Sequence, residues 1–140
     1  MREDLDKRLC AEFPLLYRDR HGDKMATCMC WGFPGDGWFH LLHELSSKLE
    51  PLIAAQPENE RAVAAQVKEK FGTLRFYLDY GTEEMEALIR EAQAKSAVTC
   101  ERCGVRGENR SNGGWLKTLC DWCHERRLED MREYREKHGF

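Results

Sequence analysis

Nowhere in its 140 residues does the chain hold an apolar run near the roughly 18 residues a membrane-spanning helix needs. The N-terminal stretch MREDLDKRLC is charged from its second residue, so it reads as neither signal peptide nor anchor. A cytoplasmic protein is the expectation. The chain also lacks a basic tail or block, and its net charge is −3. Residues 25–60 carry Lys48 as their one basic residue against Asp36, Glu44, Glu50, Glu58 and Glu60. General attraction to nucleic acid needs clustered Lys and Arg to displace counterions, so this balance shifts weight towards a protein partner.

Marks of catalysis are missing too. There is no nucleophile elbow, no HExxH and no phosphate-cradling glycine loop. His40-Leu-Leu-His43-Glu44 inverts and shortens the zincin pattern. Residues 104–119 contain no histidine, which excludes a His-Asn-His nuclease built on that segment. Cys28 or Cys30 served by His21, His40 or His43 would be a nucleophile and base, but no local pattern marks them. The chain reads as a non-enzyme.

What it has is cysteine. Four of the seven form CERCGVRGENRSNGGWLKTLCDWC, two Cys-x-x-Cys pairs separated by sixteen residues. In a cytosolic chain such pairs read as metal ligands before disulfides. Each knuckle presents two sulfurs on a tight turn, and two knuckles complete a tetrahedron, so Cys100, Cys103, Cys120 and Cys123 are assigned to one structural Zn2+. A site filled by four sulfurs leaves no position for water and acts on folding instead. Gly104 supplies the left-handed turn after the first knuckle, and Asn112–Gly114 supplies turn residues midway. Trp115, Leu116 and Leu119 form the returning strand. His124, next to the last cysteine, is a substitute ligand of lower rank. Cys28, Cys30, His40 and His43 make a second, weaker set, C-x-C with H-x2-H; buried thiols and histidines on a helix flank are the plainer reading.

Around this unit the pattern predicts an α+β protein: a small antiparallel hairpin packed by two helices, then a C-terminal four-cysteine zinc ribbon and a terminal helix. Residues 1–99 form the body, and residues 100–140 form the ribbon (100–123) plus a charged helix. A short helix around Leu5, Leu9 and Cys10 ends at Pro14. Met25–Phe33 reads as a short strand. Asp36 is expected to cap a helix whose apolar face is Trp38, Leu41, Leu42, Leu45, Leu49 and Leu52, and Pro51 to end or kink it. Val63, Val67 and Phe71 also fit a helix closed by Gly72, but LRFYLDY alternates, so a hairpin turning near Phe71–Thr73 is preferred. Thr82 caps a third helix, with Glu83, Glu84 and Glu86 at its positive end.

Three blocks, CMCWGFPGDGWFHLLHELSSKLEPL, VKEKFGTLRFYLDYGTEEMEALI and TCERCG…GWLKTLCDWC, resemble a family of small uncharacterised proteins encoded by bacteriophages and prophages. The resemblance spans residues 13–125. It implies phage origin and action inside a bacterial host, and its paired knuckles match Cys100, Cys103, Cys120 and Cys123. It carries no activity with it. A host protein is the expected partner, bound to antagonise a defence or to redirect host machinery. The aromatics Trp31, Phe33, Trp38 and Phe39 read as core first, whereas Trp115 and Trp122 are the better exposed anchors. The alternative is nucleic-acid binding through Arg102, Arg106, Arg110, Lys117, Arg126 and Arg127, with Trp115 as a stacking platform. Interspersed Glu101, Glu108, Asp121 and Glu125 weigh against it.

Overall fold

Apolar spacing over residues 38–53 winds one long helix, and the alternation over 63–79 folds one hairpin; everything else is arranged about these two. The computed structural model describes residues 1–111 and 114–139. Helix α1 spans Glu3–Glu12, α2 Phe39–Ala54, α3 Glu83–Ser96 and α4 Asp121–His138. Strands β1 (Val63–Lys70) and β2 (Thr73–Asp79) form an antiparallel hairpin. Strands β3 (Glu108–Arg110) and β4 (Lys117–Leu119) form a second, smaller one. The architecture is the expected α+β, with two antiparallel sheets, clustered C-terminal cysteines and a terminal helix. Among the described residues no helix is long and apolar enough to cross a membrane.

The core lies between α2, α3 and one face of the hairpin. Leu42, Leu49 and Ile53 from α2, Leu74 and Phe76 from β2, and Met85 and Ile89 from α3 are fully buried, with Trp38. Each such side chain contributes about 1.5–3 kcal/mol relative to exposure. The alternation of Val67, Leu74 and Phe76 decides against the helical reading of 62–71: as a strand these side chains share one buried face. The strands meet in a two-residue turn at Phe71 and Gly72, both at positive φ (56° and 80°), the pattern of a type I′ turn. The Thr82 hydroxyl accepts from the Met85 backbone N–H at 3.3 Å, capping α3 as expected.

Three local expectations change. Met25–Phe33 holds no strand; Cys28–Trp31 is a single 3-10 turn, capped by Thr27, whose hydroxyl accepts from the Met29 N–H. Asp36 does not cap α2. It opens a 3-10 turn (Asp36–Trp38), and its carboxylate accepts from the Arg2 backbone N–H at 2.7 Å, tying down the N-terminus. The helix continues through Pro51 to Ala54: the proline forgoes the single bond of its missing N–H, and burial of Ile53 holds the last turn in place. Of the aromatic loop, Phe33, Trp38 and Phe39 are buried as core and Trp31 is exposed.

Candidate metal centre

The first knuckle is a turn between Thr99 and Arg106, which form an isolated antiparallel bridge. The Cys100 N–H donates to Val105 O at 2.7 Å and the Gly104 N–H to Cys100 O at 2.9 Å. Gly104 sits at φ 85°, the left-handed conformation that closes the turn. The second knuckle is the first turn of α4. Cys120 is its N-cap residue, and its sulfur accepts from the Cys123 N–H at 3.4 Å. The positive end of a helix favours thiolate there.

These turns bring the four Sγ atoms within 4.8 Å of one another, with Cys103 and Cys120 at 3.7 Å. A tetrahedron with ~2.3 Å metal–sulfur arms has edges of ~3.8 Å, so the donor set fits a metal ion. The electrostatics agree. Burial opposes ionisation of Cys100, but backbone hydrogen bonds from Cys120, Cys103 and Arg102 bring its thiol down to about 7. Burial, then the neighbouring sulfurs, pushes Cys123 up. One thiolate forms readily while Cys103 and Cys123 resist, an opposition that a divalent cation removes. Cys100 and Cys123 are buried, and all four sulfurs are used in the cluster. His124 is buried beside it but is not among the clustered ligands.

The centre is fastened to the rest of the chain by polar contacts. The Gly37 N–H donates to Glu101 O at 3.0 Å, and Trp38 Nε1 donates to Thr99 O at 2.9 Å. A Cβ on Gly37 would overlap Cys100 O, so the Gly35–Gly37 loop has no side chain where it meets the knuckle. On the other side the Thr118 hydroxyl donates to Gly72 O at 2.6 Å, and Asn109 Nδ2 donates to Phe71 O at 3.3 Å. Lys117 Nζ lies 3.0 Å from both Glu69 Oε1 and Glu101 Oε1, and Glu101 Oε2 accepts from the Thr118 N–H at 3.3 Å. Burial raises the Glu101 pKa although Lys117 opposes it. This triad was not anticipated. The signal was Glu69, a carboxylate at an inward position of β1 that requires a partner.

The ribbon's basic residues are mostly committed to structure. Arg127, only 8% exposed, donates through Nη2 to Trp115 O at 2.8 Å. Arg110 donates to Leu119 O and to Asp121 Oδ1, the latter at 2.6 Å. Arg102 is paired with Asp130 at 3.9 Å and Arg126 with Glu129 at 3.3 Å. Arg106 is exposed. Trp115 and Trp122 stand in solvent at 79% and 68% exposure. Of the returning strand, Lys117–Leu119 forms β4; of the midway turn, Asn112 and Gly113 lie outside the described residues.

The second set is not brought together: among the described residues the four-cysteine cluster is the group of three or more candidate ligands within reach of one ion. Cys28 is exposed and the Cys30 thiol donates to Thr27 O at 3.4 Å. His43 Nε2 lies 3.1 Å from Glu12 Oε2, with its ring against Phe13, and His40 is exposed beside Phe39. Compared with known proteins, the chain matches no protein-family model, no curated protein and no solved structure.

Proposed function

We propose that this protein is a non-enzymatic recognition module, stapled by one structural zinc ion, that binds a protein partner through its ribbon. Four thiolates with tetrahedral spacing suit zinc, and a site closed by sulfur has no place for a reacting water. The ion's part is to hold a segment too poor in apolar side chains to fold alone. The observation that carries the reading is the pair Trp115 and Trp122, both more than two-thirds exposed beside the metal centre. Buried aromatic anchors dominate protein interfaces; among the described residues the Arg126 guanidinium lies 5.7 Å from the Trp122 ring centroid, yet both rings keep most of their surface in solvent. Of the ribbon's basic residues, Arg110, Arg127 and Lys117 are engaged in internal contacts and Arg106 is exposed, which weakens the nucleic-acid alternative at this surface. With the resemblance to phage and prophage proteins taken as the premise, the proposed partner is a host protein of a bacterial cytoplasm whose capture antagonises a defence or redirects host machinery.

The test is a pull-down from bacterial host lysate with the tagged, zinc-loaded protein, with and without nuclease, beside a Trp115→Ala/Trp122→Ala variant. A single host protein retained after nuclease and lost with the variant supports the reading. Recovery that vanishes with nuclease replaces it with nucleic acid.

A further inference from the structure

The hairpin gathers cations of the kind that the ribbon mostly commits to internal contacts. Its register sets Lys68 opposite Arg75, Gln66 opposite Tyr77 and Lys70 opposite Thr73 on the face turned away from Val67 and Phe76. Like charges directly opposite one another destabilise a strand pair, and here a third cation stands two residues on. No carboxylate shares those six positions. Lys68 Nζ lies over the Tyr77 ring, 5.9 Å from its centroid, and Lys70 Nζ over Phe71 at 5.4 Å. Arg75 Nε is buried without a hydrogen-bond partner among the described residues.

The turn adds a second anomaly. Phe71 occupies a left-handed position that asparagine or glycine fills at lower cost. Its ring is 61% exposed, so burial does not offset that strain. Strain of this kind at an exposed tip points to a ligand. Next to this face Lys68 and the exposed Trp31 line a cleft of about 240 Å³ between residues 31–35 and β1, whose two carboxylates, Glu69 and Glu101, are paired with Lys117.

We infer that the outer face of the hairpin binds single-stranded nucleic acid: Lys68, Lys70 and Arg75 take phosphates, and Tyr77 and Phe71 stack on bases. An acidic protein segment satisfies the cations but leaves the exposed rings unused, and a duplex hides its base faces; a single strand uses both. This goes beyond the protein-binding reading and does not rest on it.

The experiment is fluorescence anisotropy of a labelled oligothymidine of about a dozen nucleotides with the zinc-loaded full chain, between about 50 and 200 mM salt. Three phosphate contacts give a log–log salt slope of about −2, at about −0.7 each. Replacing Lys68, Lys70 and Arg75 with Gln flattens the slope and weakens binding about tenfold or more. Tyr77→Ser and Phe71→Asn each weaken it roughly fivefold at an unchanged slope, the low end for one stacked base. Phe71→Asn also preserves or raises Tm, since it relieves the turn, so its effect is not misfolding. No binding at the lowest salt, or binding that survives the triple replacement, overturns the inference. So does equal competition by polyglutamate with no effect of the ring substitutions, which would mark an acidic protein site.

Discussion

Lys117 stands between two carboxylates, one of them buried, and shows how much a single side chain can decide. Burial acts to lower its pKa, but its bonds to Glu101 and Glu69 outweigh this and raise it. Its stabilising share is therefore complete below the ordinary lysine value of 10.5 and is lost as pH rises through the raised folded value. Glu101 is also raised, by burial, and this has a different consequence for a carboxylate. Its ionised form is costlier in the fold than in the unfolded chain, so its contribution is most favourable below 4.5 and declines as pH rises through its folded value. Lys117→Met leaves two neighbouring carboxylates unpaired and should cost roughly 2–4 kcal/mol near neutral pH. Denaturant unfolding checks this. The loss should shrink in acid, where Glu101 is protonated, and Glu101→Gln in the same background should recover part of it. A neutral-pH cost within about 0.5 kcal/mol, the range of an ordinary surface substitution, would show that the triad does not hold the ribbon.

At the scale of elements, the knuckles, the hairpin and α3 were legible because each depends on local spacing. Two cysteines on a turn, a period of two and a threonine cap need no distant residue to be recognised. Asp36 was misread because its carboxylate is taken by Arg2, 34 residues away, and no local pattern reports that. Cys28–Trp31 was misread for the opposite reason: its short continuous apolar run suits a strand, but Thr27 caps a 3-10 turn. The Gly35–Gly37 loop, which no local pattern marks as a contact, is the seat of the first knuckle. A Cβ at Gly37 would also lie 2.6 Å from Glu101 C and 2.7 Å from Gly104 N, all backbone atoms that cannot swing aside. Gly37→Ala should cost about 2–3 kcal/mol, as overpacking does, and weaken metal retention against a chelating dye. Unchanged stability and retention would mean that loop and knuckle are not in contact.

For the whole molecule, the metal centre is joined to the body on two sides, by Gly37 and Trp38 and by Gly72, Glu69 and Phe71. Metal removal should therefore be felt throughout the chain. Chelation, or Cys103→Ser or Cys120→Ser, is expected to lose the ion, unfold residues 100–123 and lower the main thermal transition of the remaining chain. Two separate transitions in calorimetry, with the larger one unmoved by chelator, would show instead that the body folds without the ribbon.

The amino-acid order alone determined which four cysteines can cluster, the α+β elements and the shortage of basic clusters, because these follow from spacing and composition. Only the tertiary structure decided which charges are free. It turned Lys117, Arg110 and Arg127 inward to hold the ribbon and left Lys68, Lys70 and Arg75 on the hairpin with no carboxylate partner among the described residues. A formal charge is a property of a residue, but its availability depends on which distant carboxylates and carbonyls the fold brings within about 4 Å of it.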